Sequence, residues 1–413
     1  MEPPGEDMAR IVMKFGGTSV SDAERLRSVA EKVSGVVAAG NQVAVVLSAM
    51  AGTTNQLIEW TQAMSSLHDA REYDAVVSTG EQVTVGLLAI ALQEKGILAR
   101  SWLGWQIPIR TDGVHGGARI EDIEGEEIIR RMGEGEVAVV AGFQGLAPDN
   151  RITTLGRSGS DTTAVALAAA LKADRCDIYT DVDGVYTADP RIVTAARKLD
   201  RITYEEMLEM ASQGAKVLQT RSVELAMNHR VPVQVLSSFN NTPGTLVVDE
   251  DKIVEHAVVS GITYASDEAK VTLLHVFDRP GVAAAVFGPL AEANVNVDMI
   301  VQSASPDGSS TDMTFTVARG DLPRVETMLT QHQAAIGFQE VLTDDNIVKV
   351  SVIGVGMRSH AGVAQRMFAA LSEKGINIHA ISTSEIKISV LIGAEYTELA
   401  VRSLHSAYGL DAT

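Results

Sequence analysis

The feature that most constrains the fold is an alternation, from Ile11 to about Ser238, of short β-branched runs with longer helical patterns. The clearest strand-like runs are mostly continuous apolar runs rather than apolar at every second position, and they cover residues 11–13, 43–47, 137–141 and 231–235. Helical patterns cover residues 23–38, 162–172, 204–212 and 221–229. Continuous apolar strands separated by helices predict an α/β domain with a mostly parallel sheet covered on both faces.

Composition narrows the class of protein. The 413 residues provide room for two or three domains, and 46% apolar with 21% charged residues is ordinary for a globular chain. Acidic residues outnumber basic ones by 53 to 34, a net charge of −19 that disfavours nucleic acid and anionic membranes as partners. The single cysteine, Cys176, cannot form an intrachain disulfide, and we predict neither a signal peptide nor a membrane span, so we expect a cytoplasmic protein.

The region after residue 250 contains an internal repeat. A turn-rich segment at 240–244 and an acidic one at 249–251 predict a domain boundary near residue 250. Beyond it, eight pairs of identical or similar residues share one fixed offset, as in Gly281 and Gly362 or Asn296 and Asn377. Each copy has the pattern of a ferredoxin-like βαββαβ unit. Spacing alone leaves open a purely structural duplication or a ligand-binding one.

Two glycine-containing loops are candidates for anion binding. Residues 14–19, Lys-Phe-Gly-Gly-Thr-Ser, follow the first strand, so the backbone can approach a phosphate closely while Lys14 supplies charge. The lysine precedes the glycines, which excludes a Walker A loop. Residues 156–161, Gly-Arg-Ser-Gly-Ser-Asp, open a helix and place Arg157 beside new helix N–H groups. Each loop also has an interpretation without a ligand. Residues 14–19 could form a plain strand-to-helix turn, and Ser160 or Asp161 in the second loop could serve as a helix N-cap.

These segments together resemble the aspartate kinases of the amino acid kinase family. The resemblance is carried by residues 14–20, 48–55, 78–81, 155–163 and 180–191, in the order typical of the family, and by the tandem repeat, which resembles two ACT domains. It implies an amino acid kinase-type sheet at 9–250 and ACT domains at 265–340 and 345–413, with a strand from 256–264 as a candidate to complete the second. It also implies a homo-oligomer formed through ACT pairing.

The resemblance implies an enzyme that transfers a phosphoryl group from ATP, with Mg²⁺, to the side-chain carboxylate of L-aspartate. Such a carboxylate is already ionised at neutral pH, so no general base is required. The catalytic residues implied are Lys14, Gly17, Arg157 and Asp183. The nucleotide site implied comprises Lys14, Phe15, Gly16, Gly17, Thr180, Asp181, Asp183, Tyr186, Asp189, Pro190 and Lys216.

The same resemblance implies the substrate and effector contacts. The aspartate site would comprise Ser48, Thr54, Glu81, Arg157 and Ser160, with Arg157 on the α-carboxylate and Glu81 on the α-ammonium group. Lysine, threonine or both would bind the ACT domains at Asp278, Gly281, Val282, Ala283, Asn296, Asp298, Gln302, Asn377 and Ile378. Residues 359–362 of the second repeat differ from 278–281 of the first, so the two copies are not expected to bind alike.

Two other functions compete with this interpretation. Another amino acid kinase, acting on glutamate or acetylglutamate, would share the glycine loop and the fold. The protein could instead be an amino-acid sensor without activity. The combination of the first loop, Ser78-Thr79-Gly80-Glu81 and twin ACT repeats favours an aspartate kinase over the first. The presence of Lys14, Glu81, Arg157 and Asp183 together disfavours the second.

Overall fold

The computed structural model describes residues 8–215, 217–253, 257–305 and 308–411. The chain divides into two compact units, and each is built from more than one segment. Unit 1 consists of Met1–Val185, Lys198–Ala211 and Lys216–Val254. Unit 2 consists of Tyr186–Arg197, Ser212–Ala215 and Glu255–Thr413.

Unit 1 is built on an eight-stranded, mostly parallel sheet. Its strand order is β10-β12-β11-β9-β1-β2-β6-β3, and the only antiparallel neighbours in it are β11 and β12. A smaller sheet has the order β5-β4-β7-β8. The strands of unit 1 are β1 Arg10–Phe15, β2 Gln42–Leu47, β3 Ala99–Trp102, β4 Ile109–Thr111, β5 Ile120–Ile123, β6 Val137–Ala141, β7 Gln144–Leu146, β8 Ile152–Thr154, β9 Arg175–Thr180, β10 Arg201–Thr203, β11 Val233–Ser237 and β12 Thr245–Val248.

Helices cover the large sheet, and this is why its strands consist of continuous apolar residues. They are α1 Ala23–Ala38, α2 Thr53–Met64, α3 Ala70–Val77, α4 Thr79–Glu94, α5 Glu126–Gly133, α6 Gly159–Ala170, α7 Tyr204–Ser212 and α8 Thr220–His229. Asp22 caps α1 by accepting a hydrogen bond from the Arg25 N–H group at 2.9 Å. All five residues of β6 are buried, which is what a strand covered on both faces requires. The predicted fold class is therefore confirmed for this part of the chain.

Two local features differ from the sequence prediction. Helix α6 begins at Gly159, three residues earlier than predicted, because Ser158 adopts a left-handed conformation with φ of 56° and starts the helix after it. Ser160 and Asp161 therefore lie in the first turn of α6 and not at its N-cap. Strand β9, at the centre of the large sheet, is absent from the predicted strands.

The stretch Ala70–Glu94, which contains α3 and α4, is long and apolar enough to cross a membrane by length and composition. Its central residues Val85, Leu88 and Leu92 are buried in the hydrophobic core against the large sheet. Half of its most apolar 18-residue window is buried within the protein.

Unit 2 contains two four-stranded sheets with helices packed on them. One sheet has the order β15-β16-β14-β17 and the other β13-β18-β20-β19. The strands are β13 Gly261–Ala265, β14 Ala269–Phe277, β15 Val297–Ala304, β16 Ser310–Val317, β17 Glu340–Asp344, β18 Ile347–Ile353, β19 Ala380–Thr383 and β20 Lys387–Gly393. The helices are α9 Val282–Glu292, α10 Leu322–Ile336, α11 Val363–Glu373 and α12 Thr397–Ala407.

The two repeats complete their sheets differently. The first repeat runs β14-α9-β15-β16-α10-β17 and supplies all four of its own antiparallel strands. The second runs β18-α11-β19-β20-α12, and its fourth strand is β13, which precedes the first repeat in the chain and pairs antiparallel with β18. Both helices that follow the first strand begin after a left-handed glycine, Gly281 with φ of 91° and Gly362 with φ of 92°.

Candidate active site

The loops that follow β1, β2, β6, β9 and β11 meet at one edge of unit 1. These strands are consecutive neighbours in the sheet, in the order β11-β9-β1-β2-β6. All of their pairings are parallel, so their carboxyl ends lie at the same edge. Open α/β sheets bind their ligands at this edge.

Lys14 and the glycines after it form the centre of this edge. The Lys14 side chain is nearly buried, and its Nζ lies 2.5 Å from Oδ1 of Asp161 in the first turn of α6. A Cβ atom placed on Gly17 would lie only 2.9 Å from the carbonyl oxygen of Ala49, so this position has no room for a side chain. The Ser19 N–H group donates to the Gly16 carbonyl at 2.9 Å and closes a short 3₁₀ turn. The strand end therefore presents a fixed cation beside close-packed backbone.

Glu81 lies in the first turn of α4 and is 3% exposed. Its Oε1 accepts a hydrogen bond from the Ala49 N–H group at 3.0 Å, whereas its buried Oε2 has no hydrogen-bond partner among the described residues. Burial raises the pKa of Glu81 to about 7. An orphaned buried carboxylate oxygen of this kind is suited to a cationic ligand.

Ser48 and Ser160 lie close to the same edge. The Ser48 N–H group donates to the Phe15 carbonyl at 3.1 Å, and its own carbonyl accepts from Thr84 Oγ1 at 3.0 Å. Ser160 is buried against Gly142, where an added Cβ would lie 2.8 Å from Ser160 Oγ. Thr54, in the first turn of α2, is half-buried.

Arg157 is exposed on the loop that precedes α6. No hydrogen bond or ion pair involves its guanidinium group within the part of the chain that the structure describes. Burial and the charge of Asp74 raise the pKa of Tyr73 in α3, and the charge of Arg157 opposes that rise. The guanidinium group is thus available to an anionic ligand.

The predicted nucleotide residues are divided between the two units. In unit 1, Thr180 Oγ1 donates to Asp181 Oδ1 at 3.1 Å, and Asp183 Oδ2 lies 3.2 Å from Lys198 Nζ. In unit 2, Asp189 binds the Arg191 side chain at 2.7 Å, and these hydrogen bonds hold the pKa of Asp189 below its usual value. Tyr186 and Pro190 also belong to unit 2, and Lys216 lies outside the described residues.

A cavity of about 280 Å³ opens beside the Lys14–Asp161 ion pair. It is lined by Ser158, Asp161, Ala211, Val217, Leu218, Gln219 and Thr220, all from unit 1. The sequence prediction treated Asp161 only as a helix cap and did not include Asp74, His115, Lys198 or Arg221. The partners of these residues are distant in sequence, so no local motif indicates them.

The predicted effector residues of unit 2 are mostly exposed. They include Asp278, Gly281, Ala283, Asn296, Gln302 and Asn377, whereas Ile378 is half-buried. The Val282 side chain is instead part of the hydrophobic core of the first repeat, and its N–H group donates to the Arg279 carbonyl at 3.2 Å. The side chain of Val282 is therefore occupied by packing.

Asp298 has a partner within the chain. Its half-exposed carboxylate and that of Glu268 both accept hydrogen bonds from the buried Lys349 Nζ of β18. Burial alone would lower the pKa of Lys349, but the hydrogen bonds to Asp298 and Glu268 raise it above its usual value. An effector ammonium group at Asp298 would therefore share this carboxylate with Lys349.

Family models match both parts of the chain. Residues 9–237 match the amino acid kinase family, and residues 270–337 and 350–408 each match an ACT domain model. An aspartate kinase from Pseudomonas fluorescens is 56% identical over 408 residues, which is 98% of each chain.

Solved structures agree with these matches. E. coli aspartokinase III in complex with aspartate and ADP (R-state) matches with a TM-score of 0.82 at 28% identity, over 96% of this chain and 99% of that one. The same enzyme in complex with lysine and aspartate (T-state) matches with a TM-score of 0.76 at 29% identity, over 97% and 99%. By its sequence, its fold and the arrangement of this sheet edge, the chain belongs to the amino acid kinase family, in which it groups with the aspartate kinases that carry two ACT domains.

Proposed function

We propose that the protein transfers the γ-phosphoryl group of ATP to the side-chain carboxylate of L-aspartate, giving 4-phospho-L-aspartate and ADP. The observation that carries this proposal is the position of Ala49. Its N–H group binds Glu81, and its carbonyl oxygen packs against Gly17 of the glycine loop. The group suited to an ammonium ion and the loop suited to a phosphate are therefore fixed to one residue. The complex of E. coli aspartokinase III with aspartate and ADP supports the same pair of ligands.

The aspartate would be held by charge at both ends of its amino-acid part. The orphaned Oε2 of Glu81 would accept the α-ammonium group, and the exposed Arg157 would bind the α-carboxylate with its planar fork. Ser48, Thr54 and Ser160 would contribute hydroxyl groups. The side-chain carboxylate is then the part of the substrate left to face the glycine loop.

The reaction needs positioning and charge neutralisation more than acid–base chemistry. One oxygen of the ionised substrate carboxylate attacks the γ-phosphorus, the bond from that phosphorus to the bridging oxygen breaks, and ADP departs with the electron pair. Lys14 would neutralise charge that accumulates on the transferring and leaving oxygens. Asp161 holds the Lys14 ammonium group beside Gly16, which fixes the position of this positive charge.

Mg²⁺ would bind chiefly to the phosphates of ATP. Within the described residues, no group of three or more His, Cys, Asp or Glu side chains is arranged to hold a metal ion. Magnesium in nucleotide sites uses one or two carboxylates together with phosphates and water, so the residues present fit the ion. We assign Asp183 and Asp161 of unit 1 as the carboxylates that would hold Mg²⁺. Thr180 and Asp181 would lie near the nucleotide.

The test is an assay of purified protein for ADP formation that depends on aspartate. We expect activity with L-aspartate and none above background with glutamate or N-acetylglutamate. ADP formation with glutamate or N-acetylglutamate alone would make the chain a different amino acid kinase. No activity with any of the three, with the protein folded, would favour a sensor.

We also propose that the ACT domains inhibit the enzyme when lysine, threonine or both are bound, as feedback on a first step of lysine, threonine and methionine synthesis in the cytoplasm. The complex of E. coli aspartokinase III with lysine supports lysine as one effector. Inhibition titrations with each amino acid, singly and together, test this regulation.

A homo-oligomer is proposed on the basis of strand β15. Its side chains Ile300 and Val301 are 53% and 37% exposed, and exposed apolar side chains favour a contact with another copy. Light scattering during size-exclusion chromatography gives the mass, and a monomer at micromolar concentration would contradict this proposal.

A further inference from the structure

A buried carboxylate that the proposed chemistry does not use lies near the loop that carries Arg157. Asp74, in α3, is fully buried. Its oxygens accept hydrogen bonds from His115 Nδ1 at 2.7 Å, from the Gly116 N–H group at 3.1 Å and from Thr154 Oγ1 at 2.5 Å. Burying a charge is costly unless it is fully hydrogen-bonded, so this group is held in one arrangement by all of its donors.

The donors come from two segments that Asp74 fastens together. His115 and Gly116 belong to the loop between β4 and β5, and Thr154 ends β8. The two segments also pair directly, because the Ala118 N–H group donates to the Thr154 carbonyl at 2.9 Å.

Arg221 of α8 provides a second attachment. Its two terminal nitrogens donate to the Leu155 and Ala118 carbonyls, each at 3.0 Å. Leu155 follows Thr154 directly, so Asp74 and Arg221 hold the same two segments from α3 and α8.

The chain held in this way leads directly to Arg157. Gly156 has a positive φ of 78°, and a Cβ placed on it would lie 3.5 Å from the Gly116 carbonyl oxygen. The backbone that precedes Arg157 therefore rests on the residue whose N–H group Asp74 binds. Because the guanidinium group itself is exposed, its position depends on how firmly this backbone is held.

We infer that Asp74 and His115 are positioning residues for Arg157, and through it for the α-carboxylate of the amino-acid substrate. The inference rests on the proposed function of Arg157. Asp74 holds the 115–116 loop and the end of β8, and this support places the guanidinium group where the substrate carboxylate arrives. Neither residue belongs to the proposed nucleotide site, so the inference predicts an effect on aspartate and not on ATP.

The first experiment compares two variants of His115 in steady-state kinetics. His115→Leu removes the donor to Asp74, and we expect the KM for aspartate to rise about tenfold with the KM for ATP unchanged. His115→Asn offers an amide N–H near the position of Nδ1, and we expect it to restore most of the parental KM. Thermal unfolding of both variants shows whether they are folded.

The second experiment is a double-mutant cycle with Arg157→Ala. If His115 acts through Arg157, His115→Leu should change the KM for aspartate by less than twofold once Arg157 is absent. Equal effects of His115→Leu in both backgrounds would overturn the inference. So would a lower Tm without any change in the KM for aspartate, since that result assigns the cluster a structural role only.

The results that would contradict the proposed function differ from those that would contradict the positioning role. If the parent forms no ADP with aspartate, or if Arg157→Ala alone leaves the KM for aspartate unchanged, the assignment of Arg157 is wrong. If Arg157→Ala raises that KM while His115→Leu does not, only the positioning role is wrong. Thr154→Val, which removes another donor to Asp74, gives an independent check and should resemble His115→Leu in the KM for aspartate.

Discussion

Two candidate ligand-binding charges of unit 1, unlike the exposed Arg157, lie in an environment opposite to that of the candidate charges of unit 2. In unit 1, Lys14 and Glu81 are buried at strand and helix ends, and each has a fixed neighbour in Asp161 or Ala49. In unit 2, Asp278 is exposed and Asp298 is half-exposed, although it is paired with Lys349. Buried charges cost free energy of folding and are retained where they perform chemistry, whereas exposed ones contribute little to stability. We therefore expect substitutions in unit 1 to change the reaction itself and those in unit 2 to change only its regulation.

The largest effect is expected at Lys14. Lys14→Ala should lower kcat by roughly 10²-fold or more, with a smaller change in the KM for aspartate, because the lysine charge matters most in the transition state. Lys95→Ala is a matched control, since Lys95 forms an ion pair with Glu31 on the surface. Steady-state kinetics of both variants gives the comparison. Near-parental kcat for Lys14→Ala would show that the phosphate loop is wrongly assigned.

The next effect concerns the substrate charges. Glu81→Gln and Arg157→Ala each remove one charged partner of aspartate, and such a hydrogen bond is worth about 1.5–3 kcal/mol, or roughly 10- to 100-fold in the KM for aspartate. The KM for ATP should stay within about twofold of the parent, on the same reasoning. If ATP binding weakens instead, these residues belong to the nucleotide site.

Glu81 should also make aspartate binding depend on pH. Its pKa is raised by burial to about 7, so below that pH the carboxyl group is protonated and cannot pair with the ammonium group. The KM for aspartate should rise as pH falls below 7, by up to about tenfold per unit. A pH profile of kcat/KM tests this, and the same rise in Glu81→Gln would assign it to another group.

The raised pKa of Glu81 should also make the stability of the fold depend on pH. The folded state holds the Glu81 proton up to about pH 7, whereas the unfolded state loses it near the ordinary value of 4.5. This residue therefore makes the free energy of unfolding fall as pH rises from 4.5 to 7. Glu81→Gln should remove that contribution and raise the Tm relative to the parent at pH 8, because no buried charge then forms. If the Tm of Glu81→Gln changes between pH 5 and pH 8 by as much as the Tm of the parent does, this prediction is contradicted.

The smallest effect on the uninhibited rate is expected in unit 2. Asp298→Ala should leave that rate unchanged while raising the inhibitory concentration of lysine or threonine by roughly fivefold or more. Glu268→Gln is the matched control, since it removes the other acidic partner of Lys349. Inhibition titrations should move only for Asp298→Ala. Equal losses of Tm in both variants, with unchanged inhibition, would mean that Asp298 serves only to pair with Lys349.

The fold class could be predicted because β6, and β2 from Val43 onward, are continuous apolar runs that can be read directly from the sequence. Strand β9 could not, because it is central yet contains Arg175 and Asp177, whose side chains pair with each other at 2.5 Å. That pairing lets a polar sequence occupy a buried position. In the candidate site, the glycine loops could be predicted from local spacing. The Lys14–Asp161 pair and the support of Arg157 by Asp74 could not, because each contact joins distant segments.

Strand β13 precedes the first repeat but completes the sheet of the second, and this arrangement affects the order in which the sheets can form during translation. Strand β13 leaves the ribosome before any of the first repeat, yet its partner β18 follows only after that repeat is complete. The early strand must therefore wait for β18 while an entire βαββαβ unit is translated, although its Ile262 N–H group can already donate to the carbonyl of Thr187, which is translated earlier. A chain that lacked β13 would leave the N–H and C=O groups on one side of β18 unpaired. We therefore expect the two repeats to fold as one nested module.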